Sequence, residues 1–267
     1  MSGSKRSGAL VGAGVVAIAL LAGCSGSGET PAGAPAAQNP AAVAEDPAAA
    51  ALLAAASEAT VAAGTARYEL QMHVETGGQQ TTVSGTGTYD FDRKIGDLEM
   101  TTAGPGTAPG TVDVIIDGAT FYTQLPGQGG WTRTQTEGSA VSGQQYDPAQ
   151  QLATLQKVSD DVRMVGTEQL RGAEVRHVAF AIDPAALASA SGMPGDSAAA
   201  LQSGGPIPGD LWVDQDGRVR KLQMQMTMNQ GGTVSTMNVI SEYFDFGVPV
   251  TVQRPDPATV QGPAGGR

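Results

Sequence analysis

The chain has one cysteine, Cys24, among its 267 residues. A disulfide within the chain is therefore impossible. It has two histidines, His73 and His177, far apart in sequence. No His/Cys cluster with metal-ligand spacing exists, and no cofactor is implied. A G-x-S-x-G elbow and a phosphate-binding glycine loop are both missing, so a hydrolase is the weakest of the functional classes. Positive charge is scarce: 15 basic residues stand against 26 acidic ones. Nucleic acid, which needs clustered Lys and Arg, is excluded as an expected partner. Adhesion to anionic headgroups by charge alone is excluded too. Two apparent motifs lack their companions. Asp245-Phe246-Gly247 spells the kinase magnesium motif with no ATP loop or catalytic loop beside it. Asp214, Asp216 and Gly217 match part of a calcium loop, but the closing position holds Gln225 instead of Glu. A hairpin turn accounts for them better.

What is present begins at the N-terminus. Lys5 and Arg6 precede an apolar stretch from Leu10 to Leu20. Its length suits a signal peptide and falls short of the ~20 residues of a membrane span. Leu21-Ala22-Gly23-Cys24 then resembles the bacterial lipobox, in which the Cys thiol takes a diacylglycerol and the chain is cut before it. Residues 1–23 are thus expected to be a signal peptide and Cys24 the lipidated residue. A lone thiol in an exported protein otherwise needs explaining. Two acyl chains anchor stably where one is marginal. The expected location is the extracytoplasmic side of the cell membrane, held through Cys24. Without Lys5 and Arg6 the chain carries 13 basic and 26 acidic residues, or −13.

Residues 24–45 are rich in Gly, Ser, Ala and Pro and cannot bury enough surface to offset ordering, so they are expected to form a disordered tether. Fully extended, this stretch reaches ~70 Å; relaxed, it spans about 25 Å. A domain is expected over 46–254 and a fraying tail over 255–267. Asp46-Pro47 supplies an N-cap and a Pro at N1 for an Ala-rich helix from Ala48 to Ala63, ended by Gly64. From Thr65 the period becomes two. Tyr68, Leu70, Met72 and Val74 alternate with polar residues, and Val83, Gly85, Gly87, Tyr89 and Phe91 share a face of the next strand. Strands follow over Lys94–Thr102, Thr111–Asp117, Thr120–Leu125 and Trp131–Thr136. A helix is expected over Ala149–Lys157, strands over Asp161–Glu168 and Glu174–Asp183, and a short helix from Pro184. Ser191–Pro208 reads as a long mobile loop. Asp210–Val213, Arg218–Met228 and Thr233–Phe244 close the series. Short links make the order antiparallel. The expected class is α+β, with about ten strands in one domain.

Several stretches together resemble the LppX/LprAFG family of actinobacterial lipoproteins, which share a LolA-like fold. They are Leu21–Cys24, the Ala-rich helix leading into Thr65-Ala66-Arg67-Tyr68, Gly85-Thr86-Gly87-Thr88-Tyr89-Asp90-Phe91, Asp117-Gly118 with Phe121-Tyr122 and Trp131, the run from Leu211 to Val219, and Phe246-Gly247-Val248-Pro249-Val250. The resemblance implies a strongly curved antiparallel sheet, a half-barrel, with helices across its concave face. It implies an apolar cavity between them for acyl chains of lipids or lipoglycans, no catalytic residues, and lipidation at Cys24. The Gln/Met-rich late strand and the Ser191–Pro208 segment depart from the family pattern.

The stripe Leu222, Met224, Met226 and Met228 alternates with Gln223, Gln225 and Thr227. Two readings stay open. One is ordinary core packing of a sheet face. The other is the lining of a lipid cavity, where flexible, polarisable Met accepts variable apolar partners. Tyr68, Leu70, Met72 and Val74 belong to the same stripe-like evidence. Trp131 and Trp212 are expected to anchor the sheet, and His73 and His177 to be structural. The functional alternatives are a non-catalytic carrier or presenter of lipid, and a non-carrier envelope interaction or sensor protein with a filled core.

Overall fold

The computed structural model describes residues 46–106, 110–135, 148–193 and 195–262. The expected signal peptide, Cys24 and the tether lie outside these residues, as does the far end of the tail.

Helix α1 runs Pro47–Ala62. Asp46 caps it: Oδ1 accepts from the backbone N–H of Ala48 and Ala49. Twelve strands follow in one sheet: β1 Thr65–Thr76, β2 Gln79–Asp90, β3 Ile95–Ala103, β4 Thr111–Asp117, β5 Thr120–Gln124, β6 Trp131–Gln135, β7 Ser159–Leu170, β8 Ala173–Ile182, β9 Ile207–Asp214, β10 Val219–Gln230, β11 Thr233–Phe244 and β12 Val260–Gln261. Helices α2 (Pro148–Val158), α3 (Pro184–Ala190) and α4 (Gly195–Gln202) interrupt the series. The strand order is β12-β6-β5-β4-β3-β2-β1-β11-β10-β9-β8-β7. The sheet is open, and every pairing is antiparallel except β12 with β6.

Two-residue hairpins set the register. Gly77-Gly78 and Gly231-Gly232 all have positive φ, as a tight loop matching the sheet's twist demands. That register puts Ala66, Tyr68, Leu70, Met72 and Val74 on one face with Tyr243, Ser241, Val239 and Met237 of β11. Leu222, Met224 and Met226 of β10 continue the same rows. This inner face meets the helices. Leu52, Leu53 and Ala56 of α1, Leu152 and Leu155 of α2 and Leu201 of α4 join it in one core. A ring cluster fills its deep end, with Tyr68 5.2 Å from Tyr243 and Phe91 6.5 Å from Tyr243. Thr60 locks α1 onto it. Its hydroxyl donates to Ala56 O and accepts from the N–H of Val219 at 2.8 Å.

Two expectations need correction. Ser191–Pro208 is not a loop throughout: Ala198-Ala199-Ala200-Leu201 is a helix-forming run, and α4 forms because Leu201, 2% exposed, has a core to enter. Strand β9 begins at Ile207. The tail beyond 254 does not fray at once. Asp256 caps a 3-10 turn at Pro257–Thr259, and Val260 and Gln261 pair with Trp131 and Thr132. The strands number twelve, the last being the two-residue β12, which leaves no sequence pattern.

Candidate functional site

All eight residues of the expected lining lie on the inner face, on two strands that β11 separates. Their burial follows a gradient. Tyr68 and Leu70 are 2% exposed and Leu222 is 1% exposed. Met224 and Met226 reach 8% and 9%. Met72, Val74 and Met228 are half-buried. Strand β11 repeats the trend, from Tyr243 and Ser241 at the buried end to half-buried Met237. In all three strands exposure rises toward the Gly77-Gly78 and Gly231-Gly232 turns.

Methionine concentrates at that more open end. Met72 faces Val239, which faces Met224; Val74 faces Met237, which faces Met226. Met228 faces Ser235. Met237 was not singled out in the sequence because its strand carries apolar residues on both faces, Met237 and Val239 on one and Val234 and Ile240 on the other. Met100 was missed likewise. It reaches the row of Leu70 only across Gly85, where a Cβ would sit 3.2 Å from Met100 Cγ. Eight of the chain's nine methionines belong to the core or pack against it. Phe180 lies across Gly209, where a Cβ would sit 2.3 Å from the ring.

With this arrangement, a family model, the LppX_LprAFG lipoprotein, matches residues 48–252. The chain belongs to the LppX_LprAFG lipoprotein family. Among solved structures it is similar to the lipoprotein LppX of Mycobacterium tuberculosis, at 14% identity and a TM-score of 0.53, over 78% of this chain and 100% of that one. It is also similar to LprF of Mycobacterium bovis, at 17% identity and a TM-score of 0.48, over 79% and 98%. These identities speak to the fold alone. Comparison with curated proteins gives no match.

The outer face of this LppX_LprAFG domain carries the polar groups. Trp212 does anchor the sheet, but on this side: its ring stacks 4.4 Å from His177, and Lys221 Nζ sits 4.4 Å from its centroid. His177 lies between Glu168, 2.7 Å from Nδ1, and Asp210, 2.8 Å from Nε2. The indole N–H of Trp212 donates to Glu168, and that bond, followed by His177, holds the Glu168 carboxyl below its usual range. His73 pairs with Thr82. These contacts knit neighbouring strands. Asp214 and Gly217 form the β9–β10 hairpin, in which Asp214 Oδ1 accepts from the N–H of Asp216 and Arg218. Among the described residues no group of His, Cys, Asp or Glu is placed to hold a metal, and no helix is long and apolar enough to cross a membrane.

Proposed function

We propose that this lipoprotein is anchored through Cys24 at the extracytoplasmic face of the cell membrane. There it binds acyl chains of a lipid or lipoglycan on its methionine-rich inner face and carries or presents them without catalysing a covalent change. Residues 46–254 act as the lipid-binding domain and 24–45 as the tether. The observation that carries this reading is the burial gradient. An ordinary core would be most closed at its centre and polar at its margin. Here the margin is methionine: Met72, Met228 and Met237 are half-buried beside Met224 and Met226. Flexible thioethers suit a surface that accepts chains of differing length. Each CH₂ removed from water contributes ~0.8 kcal/mol, so burial alone supplies affinity.

A second reading has its own observation. Tyr68, Leu70 and Leu222 are closed off at 2% exposure or less. A core filled throughout would make the domain an envelope interaction or sensor protein.

One substitution separates the two. Met226→Trp fits a site that has room and overpacks one that has not, at a cost of ~1–3 kcal/mol. The acyl-binding reading expects near wild-type melting and loss of a fluorescent fatty-acyl probe. It also expects lipid in the native mass spectrum of wild-type protein made without its signal peptide. A wild type that binds no probe and carries no lipid establishes the filled-core reading.

A further inference from the structure

The two ends of the sheet differ in charge. At the end away from the methionines, three turns carry ions. They are Asp92, Arg93 and Lys94 between β2 and β3, Arg171 between β7 and β8, and Asp216 and Arg218 between β9 and β10. At the open end the strands are joined by residues 77–78, 104–110, 125–130 and 231–232, and α4 is joined to β9 by 203–206. None of these connections contains Asp, Glu, Lys or Arg. The half-strands behind the two glycine turns continue the pattern. Over 70–85 and 222–241, Glu75 is the one residue with a formal charge. The acids of this half lie to the sides: Asp160 and Asp161 on the edge strand β7, Asp256 before β12, and Asp183 and Asp196 at the starts of α3 and α4.

The uncharged end also exposes apolar side chains. Leu125 begins the 125–130 turn at 44% exposure, and Val234 follows Gly231-Gly232 at 52%. They are two of the three exposed large hydrophobic residues among those described. Val234 lies on the outer face and Met72, Met228 and Met237 on the inner, so apolar groups border this end from both sides. Helix α1 starts on the same half. The N–H of Asp46 donates to Val162 O of β7 at 3.1 Å, whereas Thr60, near the other end of α1, meets Val219 at the start of β10. Strand β7 begins at the open end, because Ser159 pairs with Ile182 and Ile182 with Ile207 beside the 203–206 link. The chain from Cys24 therefore joins the domain on its open half, and its relaxed span of about 25 Å lets that end meet a bilayer that holds the anchor.

We infer that the open end is a docking surface for the lipid bilayer itself. It seats the uncharged turns among the headgroups with Leu125 and Val234 in the interface, so that the methionine face opens onto the membrane. Ions brought there lose hydration, and acids meet anionic headgroups; this end carries neither on its turns. Apolar contact supplies the attraction, and the anchor supplies the local concentration. The inference deepens the acyl-binding reading and rests on it for its purpose: it names the bilayer as the surface from which the inner face takes or to which it gives a chain.

The test uses the full lipidated protein, reconstituted through its anchor into vesicles of phosphatidylethanolamine and phosphatidylglycerol. With Cys24 acylated, an introduced cysteine is the only free thiol. A fluorophore is attached at Thr233→Cys, beside the Gly231-Gly232 turn, or at Ala119→Cys, an exposed site at the opposite end. Lipid spin-labelled near the headgroup is the quencher. Quenching should be about three-fold or more stronger at position 233 than at 119. Leu125→Asp with Val234→Asp should remove most of it. Arg93→Gln with Lys94→Asn, at the opposite end, changes the net charge equally and should leave it within about two-fold; Asn suits the positive φ of Lys94. Both double variants alter exposed side chains and should melt within about two degrees of wild type. Equal quenching at the two ends, or quenching at position 233 that survives the two new acids, overturns the inference. The fatty-acyl probe reports on the other reading separately. Probe binding without end-selective quenching overturns docking and leaves acyl binding standing; end-selective quenching without probe binding upholds the docking surface and overturns acyl binding.

Discussion

Arg171 is the residue whose conformation and contacts explain each other. It sits at φ 50, a region that non-glycine residues seldom adopt. Its side chain bridges Glu69 and Glu242, and the hydrogen bond to Glu242 leads the causes that raise its already high pKa. In a flat sheet β8 and β1 would stand ~19 Å apart, at ~4.8 Å per strand, far beyond an arginine's reach. The β7–β8 ribbon therefore curls over the outer face, helped by two register shifts in β7. Arg171→Asn tests the bridge without the backbone penalty, since Asn tolerates positive φ. We expect a loss of about 0.5–1 kcal/mol, the range for part-exposed ion pairs, seen as a melting point lower by roughly 1–4 °C. The loss should shrink in high salt. A variant that melts like wild type at low salt would show that the two carboxylates do not oppose each other.

At the scale of elements, the helices were readable where caps and period agree, and unreadable where only packing decides. Asp46-Pro47 and Asp183-Pro184 announce α1 and α3, and both caps form as expected. Helix α4 has no such cap, and its small residues give little periodicity. It is held by the burial of Leu201 and by its approach to β10, where Ser203 Oγ lies 3.4 Å from Asn229 O. The joint between α1 and β10 hangs on Thr60, fully buried, whose hydroxyl satisfies the N–H of Val219. Thr60→Val keeps the shape and deletes the acceptor. A buried N–H left without a partner costs ~1–3 kcal/mol, so the variant should melt several degrees lower, while Thr60→Ser recovers most of the loss. Equal melting of the Val variant and wild type would mean that another group satisfies Val219.

For the whole molecule, the proposed anchoring rests on one group, the thiol of Cys24. Cys24→Ala should abolish acylation and leave uncleaved precursor or protein shed from the membrane. A membrane fraction that still holds cleaved, acylated Cys24→Ala protein would refute the anchor. The chain is acidic, with a net charge of −11, and among its described residues no helix is long and apolar enough to cross a membrane.

The sequence by itself determined the antiparallel α+β class, most strand positions and the family, because alternation, turn glycines and Asp-Pro caps are local signals. It also identified the stripe from Leu222 to Met228, since four apolar residues at period two need no tertiary information. It grouped that stripe with Met72 and Val74 as one expected lining but did not supply the pairing that brings them together. That required β11 to lie between β1 and β10, a pairing across more than 150 residues that no local pattern encodes. Nor did it separate the faces of β11, where apolar residues occur on both; only the register with Tyr68 and Leu70 turns Met237 inward. The polar side followed the same logic. His177, Trp212, Glu168, Asp210 and Lys221 come from four strands, and Arg171 meets Glu69 from 102 residues away. Such contacts exist only after long-range pairing has fixed which side chains share a face, and that is the part the tertiary structure alone decided.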